Sequence, residues 1–157
     1  MSKSIQMWLD EYGESHQNKT NKRIHWVCVP AIFWTVVAFV WAIPTPAAFS
    51  ELSPHLNWAS LSIAFTVLFY LRLSLPLAIG MTLFILLCYF TVVAFDAALP
   101  GYLVISSAVA FVILWALQFY GHEVEGKKPS FFKDVQYLMI GPAWLMSFIY
   151  QKLGLRY

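Results

Sequence analysis

Charged residues are scarce in this sequence. Asp, Glu, Lys and Arg together make up 11% of its 157 residues, whereas hydrophobic residues make up 60%. Soluble globular domains average about 25% charged and about 45 to 50% apolar residues. With a mean hydropathy of +0.65, the chain has more apolar surface than one water-soluble core of this length can bury. The composition argues against a soluble domain and predicts an integral membrane protein.

Excess positive charge and paired cysteines are also lacking. The net charge is only +2, and the ten Lys and Arg residues lie in short clusters beside apolar runs. Such clusters do not form the basic stripe of a nucleic-acid-binding surface, so we expect no nucleic-acid partner. Cys28 and Cys88 stand far apart inside apolar segments. We therefore interpret them as buried thiols and not as a disulfide framework.

Four long runs with almost no charge are present, and they predict an all-α fold. Each run approaches the roughly 20 apolar residues that a membrane-crossing helix needs, although the second is short. They cover residues 26–43, 56–71, 73–95 and 102–120. We expect one polytopic membrane domain over 1–157, with an N-terminal arm (1–24), a four-helix bundle (26–120), a polar loop (121–134) and a C-terminal membrane-associated segment (135–157).

The C-terminal segment leaves a choice open. Its apolar stretch, 135–150, contains Gly141 followed by Pro142, a pair that disfavours an uninterrupted helix. The stretch could kink and cross, dip into the membrane and return, or lie in the interface.

The N-terminal arm has the pattern of a surface helix. Ile5, Trp8, Leu9 and Tyr12 recur at spacings of three and four, which places them on one face of an amphipathic helix. We expect this helix to end near His16. Residues 17–21, with the sequence QNKTN, are typical of caps and turns, so we predict a break there.

Basic residues mark one side of the membrane. Lys and Arg are enriched in cytoplasmic loops near membrane helices. Here they precede the first run, separate the second from the third, and follow the fourth, whereas the two opposite loops have none (Lys3, Lys19, Lys22, Arg23, Arg72, Lys127, Lys128 and Lys133). The asymmetry places the arm and the 121–134 loop in the cytoplasm, and a bacterial inner membrane and the endoplasmic reticulum both fit.

Three of the four histidines meet at the predicted cytoplasmic side. His16 ends the arm, His25 opens the first membrane helix and His122 follows the fourth. Neutral imidazole is a common ligand of iron, copper and zinc, so three converging histidines could bind one ion. Because His16 and His25 are nine residues apart, they would point to opposite faces of an unbroken helix, and a shared site requires the predicted break. If the fourth helix continues past His122, Glu125 lies on the same face and could complete the ligand set.

Simpler interpretations of these residues remain open. Histidines near helix ends often lie at the headgroup boundary, and Glu125 could be a solvated loop residue. His55, on the opposite side, receives no ligand role. Asp96 is interpreted as a polar residue at a helix end.

Two motifs resemble those of the small membrane family of 2-hydroxy fatty acid dioxygenases (Mpo-type), formerly a domain of unknown function. The first is the segment HQNKTNKRIH at 16–25, followed by Val29-Pro30. The second is WALQFYGH at 115–122, followed by the 125–129 stretch. The two motifs occur in the family's order, and the resemblance extends over nearly the whole chain.

The resemblance implies an iron(II)-dependent enzyme that uses dioxygen to shorten a 2-hydroxy fatty acid by one carbon, in fatty acid alpha-oxidation. It implies that His16, His25 and His122 bind Fe²⁺. We further expect a catalytic role for Glu125, and Lys22, Arg23 and Lys127 are candidates for attracting the substrate's carboxylate. Membrane lipid surrounds such a protein, and the sequence gives no oligomeric state.

Two rival functions are compatible with the same residues. A metal-dependent lipid hydrolase could use the three histidines without dioxygen. A non-catalytic scaffold or small carrier would use none of them, although a carrier should place polar groups in mid-membrane. The histidines of this chain lie near one edge, which weighs against transport.

Overall fold

The computed structural model describes residues 3–53, 56–126 and 137–157, and its ordered elements are helices joined by turns. In chain order the seven helices within these ranges are α1 (Ile5–Gly13), α2 (Lys19–Trp41), α3 (Ala47–Leu52), α4 (Trp58–Leu73), α5 (Leu75–Ala98), α6 (Leu103–Glu125) and α7 (Ile140–Lys152). The predicted all-α membrane bundle is confirmed.

Three helices are long and apolar enough to cross a membrane. These are α2, α5 and α6, with 23, 24 and 23 residues, and at 1.5 Å per residue each spans about 35 Å. The remaining predicted crossing, the run at 56–71, corresponds to α4. This helix has 16 residues, about 24 Å, and is short, as the sequence indicated. Apolar side chains such as Leu83 and Val112 remain 65% and 66% exposed on the outside of the bundle. Lipid is the solvent that suits such a surface.

The successive helices α2, α4, α5 and α6 run alternately up and down. One end of the bundle therefore holds the start of α2, the end of α4, the start of α5 and the end of α6, and we call it the histidine end. At the opposite end, the Trp41 indole N–H donates a hydrogen bond to Asp96 at 3.1 Å. Asp96 lies in the last turn of α5, at a helix end as the sequence indicated. His55 falls outside the described residues.

The helices at the histidine end are longer than predicted. Helix α2 begins at Lys19, because the Asn18 side chain caps it by accepting the Thr20 N–H at 2.8 Å. Residues 19–24 therefore belong to α2 and not to the arm, and the break covers 14–18 instead of 17–21. Helix α6 continues through residues 121–125, which the sequence assigned to a loop, and ends at Gly126, whose φ of 75° is left-handed. Glycine adopts this conformation readily, so it terminates the helix.

The C-terminal segment lies against the histidine end. Gly141 and Pro142 do not interrupt α7, because they occupy its first turn, where a missing backbone N–H costs nothing. The Tyr70 hydroxyl, near the end of α4, donates to the Met139 carbonyl before α7. At the other end of α7, the Tyr150 hydroxyl donates to the Pro76 carbonyl at the start of α5. Both ends of α7 thus contact the same end of the bundle.

Candidate metal centre

Three structural elements bring His16, His25 and His122 together. His16 lies in the linker between α1 and α2, His25 in the second turn of α2, and His122 in the last turns of α6. The ring centroid of His16 is 4.2 Å from that of His25 and 5.2 Å from that of His122, and the last two are 4.9 Å apart. One nitrogen from each ring lies within 4.8 Å of the others. The separation is short enough for one ion to bind among them.

The three rings are almost completely buried. His16, His25 and His122 are 2%, 1% and 5% exposed. Such burial disfavours the charged form of the rings, because a charged imidazole in a low-dielectric environment is costly. The cluster is therefore unlike the exposed interfacial histidines that the sequence left as an alternative.

Backbone hydrogen bonds select one tautomer for two of the rings. His16 Nδ1 lies 2.6 Å from the Tyr12 carbonyl oxygen, and His25 Nδ1 lies 3.0 Å from that of Asn21. A carbonyl only accepts, so each Nδ1 carries the proton and each Nε2 presents a lone pair. His16 Nε2 is buried and has no hydrogen-bond partner among the described residues. A ring held by one nitrogen with the other free is the usual arrangement of a metal-binding histidine.

The surroundings keep His16 uncharged. Desolvation by burial is the main cause that lowers the pKa of His16 to about 4; the hydrogen bond to Tyr12 and the charge of Glu125 raise this pKa, while His122 and Lys22 lower it further. At neutral pH the ring is therefore the neutral form that binds metals. Three neutral nitrogen donors suit iron(II) and zinc alike.

Glu125 connects the end of α6 to the linker that holds His16. Its Oε1 accepts the Gln17 backbone N–H at 2.8 Å. Its Oε2 accepts the Asn18 backbone N–H at 2.8 Å and the Asn21 amide Nδ2–H at 3.0 Å. Both carboxylate oxygens are thus occupied by donors from the linker and the first turn of α2. We call this set of three hydrogen bonds the Glu125 clamp.

Asn21 is a site residue that sequence reasoning missed. It is 0% exposed, and besides the Glu125 clamp its Nδ2 donates to the Ser15 carbonyl at 3.0 Å. Its own carbonyl accepts the His25 Nδ1–H. Asn21 therefore connects all three elements of the site. Its position four residues before His25, one helical turn, is the signal that could have identified it.

Gly121 allows α6 to approach Asn21. A Cβ atom added at Gly121 would lie 2.5 Å from Asn21 Oδ1, closer than nonbonded atoms approach. A side chain here would displace the Asn21 side chain or push apart the helices that hold His25 and His122. The glycine directly before His122 is thus required by close helix packing.

Aromatic side chains close the site on the side of α1 and α7. Tyr12 stacks on His16 with ring centroids 4.2 Å apart, and Trp144 of α7 lies 5.3 Å from both rings. Tyr12 and Trp144 are themselves buried. They fix the orientation of the His16 ring, since a stacked ring has little freedom to rotate.

The basic residues predicted to attract substrate lie at different distances from the site. Lys22 is half-buried, and its charge acts on His16. Arg23 is exposed, and no contact connects it to the three histidines among the described residues. Lys127 lies outside the described residues. Of the two candidates within the described residues, Lys22 is the one whose charge acts on His16.

Comparison with known proteins agrees with this geometry. The family model described as 2-hydroxy-palmitic acid dioxygenase Mpo1-like matches residues 2–153. The comparison with curated proteins and the comparison with solved structures gave no match. The matched range contains all three histidines, Asn21, Gly121 and Glu125.

Proposed function

Because the chain belongs to the Mpo1-like family, we propose that it is an iron(II)-dependent dioxygenase that shortens 2-hydroxy fatty acids by one carbon. The observation that carries this proposal is the buried cluster of His16, His25 and His122 at one end of a membrane bundle. A lipid substrate in the bilayer can bring its polar head to such a site while its alkyl chain remains in an apolar environment.

The three histidines would hold the iron, with His16 and His25 pre-oriented by their Nδ1 hydrogen bonds. When bound, iron(II) supplies the dioxygen chemistry that amino-acid side chains lack. A set of three protein ligands would leave part of the ion's coordination sphere to other groups, as in non-haem iron oxygenases. The protein's own contribution is to hold neutral imidazoles in place and to exclude bulk water from the site.

Lys22 is the best-placed residue to attract the carboxylate of the substrate. It lies three residues before His25, so the two share a face of α2, and its charge acts on His16. Arg23 and Lys127 would act at longer range by drawing anionic head groups towards this surface. We also propose that the histidine end faces the cytoplasm, since Lys and Arg flank the membrane helices at this end.

Glu125 was expected to be catalytic, and that role is still a prediction. Its contacts favour a different one, because both carboxylate oxygens already accept hydrogen bonds in the Glu125 clamp. We propose that Glu125 positions the linker carrying His16 and does not exchange protons with the substrate.

The proposed activity is tested by product analysis. Purified protein, loaded anaerobically with Fe²⁺, is given 2-hydroxypalmitate and dioxygen. We expect oxygen uptake and a fatty acid with one carbon fewer, in equal amounts, because loss of the carboxyl carbon as CO₂ with formation of water balances one dioxygen per acid. His25→Ala should abolish both signals, whereas His55→Ala should retain them.

Two outcomes would contradict the proposal. Release of an unshortened fatty acid from a lipid ester without oxygen uptake would indicate a metal-dependent hydrolase. Iron-loaded protein that neither consumes oxygen nor alters any lipid would indicate a scaffold or carrier.

A further inference from the structure

A narrow crevice lies directly beneath the histidine cluster, towards the interior of the bundle. Among its lining residues are Tyr12, Val29 and Gln118. Each stands one helical turn from a different histidine: Tyr12 four residues before His16, Val29 four after His25, and Gln118 four before His122. Since α2 begins and α6 ends at the histidine end, Val29 and Gln118 lie deeper in the membrane than the histidines. The crevice therefore lies on the membrane side of the candidate metal centre.

The crevice has room for a small polar group. Its volume is about 20 Å³, enough for about one water-sized group and far too little for an alkyl chain. Gly141 and Pro142 from the first turn of α7 close its far side. A Cβ atom added at Gly141 would lie 3.1 Å from the Tyr12 hydroxyl and 3.2 Å from Val29. This wall is therefore tightly packed.

Gln118 places an unpaired carboxamide in this crevice. The residue is only 5% exposed, and its side chain has no hydrogen-bond partner among the described residues. Polar side chains within membrane helices are costly and usually serve function. Gln118 is thus a candidate binding group for a ligand.

We propose that Gln118 determines the specificity of the site for a 2-hydroxy acid. The inference rests on the proposed function. A carboxamide offers both an acceptor, Oε1, and donors on Nε2. The hydroxyl of a 2-hydroxy acid is about the size that the crevice admits, and it can donate to Oε1 or accept from Nε2. A fatty acid without the hydroxyl leaves the carboxamide without this partner.

The role differs from that of Lys22. Attraction by a lysine ammonium acts on the carboxylate, which hydroxylated and plain fatty acids share, so it changes the affinity for both. Hydrogen bonding by Gln118 acts on the hydroxyl and changes the ratio of the two affinities. A site built around a substrate hydroxyl rejects the analogue that lacks it, because the site's own polar group loses its partner.

The test measures binding without turnover. Zinc-loaded protein in detergent is titrated with 2-hydroxypalmitate and with palmitate, and tryptophan fluorescence reports binding. We expect the affinity of wild type for the hydroxy acid to exceed its affinity for palmitate by about tenfold. A tenfold ratio corresponds to about 1.4 kcal/mol, which is typical of one hydrogen bond. Gln118→Met, which keeps the side-chain volume, should bring the ratio to about one by weakening only the hydroxy acid. Gln151→Leu, at an exposed glutamine of α7, should leave the ratio unchanged.

A second variant covers the case in which Gln118→Met does not fold. Gln118→Asn keeps the carboxamide but withdraws it by one methylene. The ratio of its affinities for 2-hydroxypalmitate and palmitate should therefore fall below the wild-type ratio. A folded variant of either kind that keeps the full preference overturns the assignment of Gln118. If wild type itself shows no preference and forms no shortened acid in the iron-loaded assay, the proposed function fails instead.

Discussion

At the scale of single residues, the site depends on contacts that position the histidines. His16 is in a linker without helical hydrogen bonds of its own, and it is held by Tyr12, Trp144 and the Glu125 clamp. His25 is held through the carbonyl of Asn21. Since residues that orient a ligand commonly change metal affinity by about 10 to 100-fold, the supporting residues provide direct tests of the site.

Glu125→Ala should weaken metal binding without removing any ligand. The Gln17 and Asn18 backbone N–H groups and the Asn21 amide lose their acceptor, so we expect a loss of about 10 to 100-fold in metal affinity. Metal titration monitored by the visible absorption of Co²⁺ measures this. Glu123→Ala is the matched control, because Glu123 is exposed on the same helix.

The same variant separates positioning from catalysis. If Glu125 positions the linker, excess Fe²⁺ should restore most of the activity of Glu125→Ala, since the reaction itself does not need the carboxylate. Activity that stays lost when the site is saturated with iron would show that Glu125 takes part in the chemistry.

Gly121→Ala should disrupt the site through packing alone. The added methyl group would lie 2.5 Å from Asn21 Oδ1, so the Asn21 side chain or α6 must shift. Because Asn21 supports His25 and Glu125, we expect a loss of about tenfold or more in Co²⁺ affinity. Gly13→Ala makes the same change where the nearest atom, Trp144 Nε1, is at an ordinary 3.4 Å. That control should bind Co²⁺ as wild type does; equal affinities for both variants would contradict the packing argument.

At the scale of helices, hydrogen bonds from two tyrosines hold α7 against the histidine end. Tyr150 donates to the Pro76 carbonyl at 2.6 Å and accepts the Gly80 N–H at 3.1 Å. Tyr70, which is 0% exposed, donates to the Met139 carbonyl. Because Trp144 of the same helix contacts His16, the docking of α7 also supports the site.

Tyr150→Phe should loosen α7. It removes one hydroxyl and two hydrogen bonds, so we expect the free energy of unfolding in detergent to fall by about 1 to 2 kcal/mol. Denaturant unfolding followed by circular dichroism measures this change. Tyr120→Phe, at a tyrosine 56% exposed on α6, should have almost no effect, and an equally large loss there would refute the assigned contacts.

Sequence patterns predicted some of these elements and not others. The uncharged runs identified α2, α4, α5 and α6, since the membrane requires continuous apolar segments. The start of α2 at Lys19 was missed because residues 19–23 are polar and their helix depends on the Asn18 cap. The clamp was missed because two of the donors to Glu125 are backbone N–H groups, which no residue pattern reveals. The place of α7 depends on Tyr70 and Tyr150, whose partners are distant in sequence.

At the scale of the whole molecule, the chain is a membrane bundle with its candidate metal centre at one end. The three buried histidines lie where α1, α2, α6 and α7 meet, and Asp96 with Trp41 lies at the other end. Under the proposed function, a lipid substrate would reach the histidine end from the membrane. From the positions of Lys and Arg we propose that this end faces the cytoplasm.

The topology is tested by labelling single cysteines in sealed vesicles of known orientation. Lys19→Cys and Glu123→Cys at the histidine end should react with an impermeant maleimide from the same side, and Gly101→Cys only from the opposite side. The native Cys28 and Cys88 are buried, so they should not react with the maleimide from either side. Labelling of positions 19 and 123 from different sides would exclude the described arrangement.

The most direct test of the central claim is the metal content of the purified protein. Apo-protein is reconstituted anaerobically with Fe²⁺, and bound iron is counted per chain for wild type and for His16→Ala, His25→Ala, His122→Ala and His55→Ala. The described geometry predicts one iron per chain in wild type and loss of that iron in the His16, His25 and His122 variants. His55→Ala, at a histidine for which the sequence indicates no ligand role, should keep the iron. Folded variants that retain full iron without His16, His25 or His122 would contradict a metal centre built from these histidines.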